Sequence, residues 1–138
     1  MENQELMQRT QEMAGHAEQL EQHCQFLDQQ ITEMENFHSN FENLDFQPKT
    51  KMLSSLGKGV FIETQLESNN IFVEVGAGVI IKKKPEEVSL VLEHQINALK
   101  QSREYFGEQL SLISTQLEKM MHDLDNRMNI SSRWLHPK

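Results

Sequence analysis

The 138-residue chain is poor in the residues that staple or build a compact enzyme. A single cysteine, Cys24, excludes an internal disulfide and fits a reducing compartment. One Trp, one Tyr and seven Phe are too few for a large aromatic core. The hydrophobic share of 37% lies below the roughly 45–50% of an ordinary globule. No apolar run approaches the roughly 18 residues of a membrane span, so no membrane partner is expected. The opening Met1-Glu2-Asn3-Gln4-Glu5 has no basic region and no apolar stretch after it. A signal peptide is therefore not expected, and a cytoplasmic, soluble protein is.

Positive charge is scarce where a nucleic acid would need it. Residues 1–48 carry ten acids and one base, Arg9. Residues 49–84 carry six Lys and three Glu, and residues 85–138 carry eight acids and six bases, for a whole-chain charge of −8. Phosphate binding needs clustered Lys and Arg, so no nucleic acid is expected. Lys82-Lys83-Lys84 reads as a solvated strand end rather than a phosphate site.

Catalytic signatures are missing too. Six histidines come with no HExxH and no cysteine pair. His16 and His23 share a heptad position but stand two turns apart, too far for one metal. His38 falls on a helical seam. It reads as a partly buried packing residue, because no other ligands stand at metal spacing around it. Cys24 lies on the same seam, where a thiol is a small inert hydrophobe. Gly76-Ala77-Gly78 lacks the third glycine of a dinucleotide loop and precedes a strand, so it reads as a bend or bulge. No lysine follows a Walker-type loop. No nucleophile stands with a base. The expectation is no enzyme, no catalytic residue, no metal and no cofactor.

What is present is periodicity. Residues 1–46 have no proline and one glycine, Gly15. Apolar residues recur every seven positions: Leu6, Met13, Leu20, Leu27, Met34 and Phe41. Thr10, Ala17, Cys24, Ile31 and His38 follow the first five by four. This is a heptad seam, weak at its polar and small members. Residues 85–130 repeat it with Leu92, Leu99, Phe106, Ile113 and Met120 beside Ile96, Arg103, Leu110, Leu117 and Leu124. Arg103 and Gly107 interrupt an otherwise apolar seam. Lys84-Pro85-Glu86-Glu87 is a helix start: proline at the first position loses nothing, and the glutamates meet the positive end of the dipole. Two helices of this length, about 69 Å each at 1.5 Å per residue, cannot fold into a globule, but antiparallel they can zip together.

Between them the period changes to two. Val60, Ile62 and Leu66 share a face, as do Ile71, Val73 and Val75, and Val79-Ile80-Ile81 follows Gly76-Ala77-Gly78. A shorter strand is expected at Met52–Leu56, before Gly57-Lys58-Gly59. Glu67-Ser68-Asn69-Asn70 is a turn cluster. Two hairpins this small are marginal alone, and their edges are open. The economical solution is pairing with other chains; the other reading is a private sheet packed on the chain's own helices. The fold expected is α+β, mainly α. It is one domain: a helix over 1–46, two β hairpins over 50–84 that pair between subunits, a helix over 85–130 and a tail over 131–138. The helices form an antiparallel two-helix coiled-coil hairpin.

Leu56-Gly57-Lys58-Gly59-Val60-Phe61-Ile62, Asn69-Asn70, Val73-Glu74-Val75-Gly76-Ala77-Gly78-Val79 and Lys84-Pro85-Glu86-Glu87, set between two long helices, resemble an α-class prefoldin subunit of the archaeal type. The resemblance covers the whole chain, with residues 56–87 its specific part. It implies a hexamer of two α-class and four β-class subunits, with strands in central barrels and coiled coils hanging from them. It implies an ATP-independent holdase that captures unfolded client proteins at the coiled-coil tips and delivers them to a group II chaperonin. The α class carries two β hairpins, matching four strands. Many members have Val-Pro before the Leu-Gly; here Ser54-Ser55 stands there, and the seams are rich in Met and His.

Under this reading client binding falls to the helix ends, with Leu6, Met7 and Met13 on one helix and Met120, Met121, Leu124 and Met128 on the other, followed by Ile130, Trp134 and Leu135 in the tail. Methionine is flexible and polarizable and adapts to many apolar shapes. Met13, Met120 and Leu124 also suit plain seam packing, whereas Met7 and Met121 lie off the seam. Val60, Ile62, Val73, Val75, Val79 and Ile81 are the expected barrel core for oligomerisation. The other class of function is a prefoldin-like scaffold whose coiled coil binds specific folded partners.

Overall fold

The computed structural model describes the backbone of residues 2–135 and the side chains of residues 2–128. The elements are helix α1 (Glu2–Glu42), strands β1 (Lys51–Gly57), β2 (Val60–Gln65), β3 (Ile71–Gly76) and β4 (Val79–Lys83), and helix α2 (Pro85–Leu135).

Helix α1 stops at Glu42 rather than at residue 46. Leu44 N–H turns back to the Phe41 carbonyl at 3.2 Å, and the Asp45 carboxylate accepts the Gln47 N–H at 3.0 Å. Pro48 follows, so the helix cannot continue. Helix α2 begins where expected, with Lys84 accepting the Val88 N–H at 3.1 Å as cap and Glu86 and Glu87 in the first turn. It continues to Leu135, past the expected end at 130, because no breaker occurs between Gly107 and Pro137.

Strands β1 and β2 form one antiparallel hairpin and β3 and β4 another, in separate two-stranded sheets. Leu53 stands opposite Glu63 in the first, and Val73 opposite Ile81 in the second. Both turns carry three successive residues at positive φ. Gly57 (φ 103°) and Gly76 (φ 122°) open them, in a region closed to side-chain-bearing residues. Pairing slips by one residue just before each turn, which is the bulge expected of Gly76-Ala77-Gly78.

The chain divides into two compact units, residues 1–31 with 99–138, and residues 32–98. In the first, α1 and α2 run antiparallel: Arg127 donates to Asn3 at 3.2 Å and Arg103 donates to Asp28 at 2.7 Å. Leu27, Cys24 and Thr10 are buried, and every other expected seam residue of this unit is half-buried. The polar interruptions have local answers. Thr10 donates to the Leu6 carbonyl at 2.7 Å, so its hydroxyl does not compete with the seam. Gly107 leaves room for the Arg103 guanidinium, since a Cβ there would meet Arg103 Nη1 at 2.7 Å. The hydrogen bond that Arg103 donates to Asp28 raises the Arg103 pKa above its ordinary value.

In the second unit Phe41, Val88 and Leu92 form a buried cluster, with Met34, Phe46, Ile71 and Val73 packed against it. Phe46 swings back onto Phe41, with ring centroids 5.0 Å apart. Ile71 and Val73 share the face of β3 turned to these helices, as the period of two requires. Among the described residues no helix is long and apolar enough to cross a membrane.

Candidate functional site

Each hairpin strand has one paired edge and one open edge, and so presents a row of free backbone N–H and C=O groups. The side chains are as unsatisfied as the edges. Ten large apolar residues of the four strands are exposed, from Ile81 at 40% to Leu53 at 72%. A surface this dense in apolar groups marks an interaction site.

Five of the six residues expected in a barrel core, Val60, Ile62, Val75, Val79 and Ile81, are among these ten. Val73 is not: it is half-buried against Phe41, Val88 and Leu92. Ile71 and Val73 therefore seat the second hairpin on the helices, while Val75 and Val79 lie beyond that contact. The opposite face is apolar as well. Phe72 and Ile80 are exposed on the second hairpin, with Lys82 Nζ 5.9 Å above the Phe72 ring. Leu53 and Phe61 are exposed on that face of the first, and Leu56 is exposed at its bulge. Sequence reasoning passed over these five residues because it sought one buried face. The signal was present in Val60-Phe61-Ile62 and Val79-Ile80-Ile81, apolar at consecutive positions, which is the pattern of a strand covered on both faces.

The expected client-binding residues all lie in the first unit and sort by the seam. Leu6, Met13, Met120 and Leu124 are half-buried in it. Met7, Met121 and Met128 are exposed, at 43%, 53% and 58%. Ile130, Trp134 and Leu135 lie outside the residues whose side chains are described. Met13, Ile113 and Met120 line an open groove of about 720 Å³ with Arg9, Glu12, His16, Gln116 and Lys119.

In the second unit the seam histidine has company that sequence spacing did not reveal. Ser89, Glu42 and Glu93 converge on His38 Nε2.

Two long antiparallel helices carrying two exposed hairpins define a coiled-coil class of protein that acts through its surfaces. Residues 6–129 match the family model described as Prefoldin subunit. The chain belongs to the prefoldin family, a non-enzymatic chaperone family, and has a chaperone-type coiled-coil function. The fold is similar to the cryo-EM structure of filamentous PFD from Methanocaldococcus jannaschii, with a TM-score of 0.67 and 17% identity, over 82% of this chain and 95% of that one. No curated protein sequence matches.

Proposed function

We propose that the chain is an α-class prefoldin subunit that works in the cytoplasm as an ATP-independent holdase. Its strands pair with β-class subunits, in an α2β4 hexamer, and its helix ends capture unfolded clients for delivery to a group II chaperonin. The observation that carries the capture role is the exposure of Met7, Met121 and Met128 on an otherwise ordered helix pair. Adaptable apolar side chains held at the surface suit a binder of many non-native chains. A scaffold for specific folded partners would present polar or fully paired ends instead.

The assembly role is supported by hairpins that are apolar on both faces and open at both edges. The α class is supported by four strands in two hairpins. Val60, Ile62, Val75, Val79 and Ile81 belong in this reading to the barrel interior, and Val73 to the joint between hairpin and helices. The filamentous relative raises a second mode, in which the chain polymerises through the same strands. Native mass spectrometry of the chain alone and co-expressed with a β-class subunit separates the two.

Capture is tested by removing residues 1–12 and 122–138. The truncated assembly is expected to keep its mass but to lose suppression of aggregation of a chemically denatured protein without ATP. Full suppression by the truncated assembly would refute capture at the ends.

A further inference from the structure

The sequence reads His38 as a packing residue without ligands at metal spacing. That reading passes over Glu42, four residues on along α1, and the fold adds the other groups from α2. The Glu42 carboxylate, one turn along α1, comes within 3.1 Å of His38 Nε2. From α2, Ser89 Oγ comes within 3.0 Å and a Glu93 carboxylate oxygen within 3.8 Å. The donor atoms of His38, Glu42 and Glu93 all lie within 4.8 Å of one another.

Proton counting shows what is unusual here. The Ser89 hydroxyl donates to Glu42 Oε1 at 3.0 Å, so its oxygen turns a lone pair toward the imidazole. Ser89 Oγ and Glu42 Oε1 lie within hydrogen-bond reach of one ring nitrogen, which can carry only one hydrogen, while Glu93 at 3.8 Å lies beyond that reach. That hydrogen serves one acceptor well, Glu42 already accepts the Ser89 hydroxyl, and the Glu93 carboxylate faces the histidine without a hydrogen bond to it. A divalent cation in place of that hydrogen would satisfy all of them. Metal–ligand bonds of about 2.1 Å in a tetrahedron put ligand atoms about 3.4 Å apart. The distances from His38 Nε2 to Glu42 and Glu93 bracket that value. The His38 side chain is 17% exposed, so its position is set by packing. Both glutamates are about half exposed, so they are free to close on an ion.

We propose that His38, Glu42 and Glu93 form a zinc-type divalent metal site, with the Ser89 hydroxyl as a fourth ligand, that clamps α1 to α2 within the second unit. One imidazole with two carboxylates is a borderline donor set, which favours Zn²⁺ or Co²⁺ over Mg²⁺. The clamp lies one turn from Phe41 on α1 and beside Val88 and Leu92 on α2, the cluster that seats the second hairpin. Metal binding therefore stiffens the base of that hairpin.

The test uses the full chain, free of any histidine tag and stripped with chelator. Zn²⁺ is titrated by calorimetry and Co²⁺ by its visible absorption, with Mg²⁺ as a control. One Zn²⁺ per chain is expected, with a melting temperature that rises with Zn²⁺ and not with Mg²⁺. His38→Gln and Glu93→Gln should each weaken binding roughly tenfold or more, since loss even of supporting groups costs that much. Glu93→Gln changes an exposed side chain, so it keeps the test valid if His38→Gln disturbs the seam. A wild-type chain with no saturable site overturns the proposal. So do variants that bind Zn²⁺ as tightly as the wild type, which would mean an adventitious ion only, held by the other histidines.

Discussion

The helix pair and the hairpins treat their apolar residues in opposite ways. Along α1 and α2 every described heptad position is buried or half-buried within the chain. Along the four strands, Ile71 and Val73 alone reach the helical cluster, while ten large apolar side chains face solvent. The helices satisfy their own backbone hydrogen bonds and need only one neighbour to cover a stripe. A two-stranded hairpin has two faces and two open edges, and one chain of this length cannot cover them all. The helical half thus covers its own apolar stripe, and the β half leaves its faces and edges open. In the proposed reading the same contrast separates stability from assembly as properties of different residues.

The sharpest way to break that contrast is through the cluster under the second hairpin. Phe41→Ala removes a buried ring that touches both helices and hairpin. It should cost about 3 kcal/mol, as large-to-small changes in cores do, read as a drop in the urea midpoint of the isolated chain. A loss below about 1 kcal/mol would mean that the cluster does not hold the second unit together.

A smaller effect of the opposite sign is expected in the helix pair. Gly15 is exposed in the interior of α1 and a Cβ there meets nothing. Gly15→Ala should stabilise by about 0.5–1 kcal/mol. Gly107→Ala should gain less, because its Cβ must push the Arg103 guanidinium away from its place near Asp28. Equal gains at the two sites, measured by thermal unfolding, would show that Arg103 does not need that space.

The smallest effect on stability belongs to the strands. Ile80→Ser should change the unfolding midpoint of the isolated chain by less than about 0.5 kcal/mol, since the side chain is already exposed. The same substitution should weaken association measured by sedimentation. Destabilisation comparable to that of Phe41→Ala would erase the distinction between the two regions.

Most of the fold was legible because period reports which face is covered. The heptads at Leu6–Phe41 and Leu92–Met120 identified both helices, the switch to period two identified β2 and β3, and the glycine turns placed β1 and β4 beside them. The helix ends were less legible. Glu42 stops α1 early because Leu44 and Asp45 turn the chain, and such local hydrogen bonds leave little trace in a pattern. The end-group methionines could be sorted in advance into seam and off-seam positions, and the exposures of Met7 and Met121 follow that sorting. The outer-face residues Phe61, Phe72 and Ile80 were visible as apolar doublets but were set aside by the assumption of a single buried face.

The sequence by itself determined the helices, the hairpins, their turns and the seam that joins the rods, because each depends on residues a few positions apart. Only the tertiary structure decided which distant side chains meet. It put Glu93 and Ser89 beside His38, Asp28 beside Arg103, and Val73 on the helices rather than among the exposed strand residues. Those meetings depend on how far one helix is slid along the other and on which hairpin face turns inward. A heptad repeat looks the same after a slide of seven residues, so the pattern that fixes the seam leaves its register open.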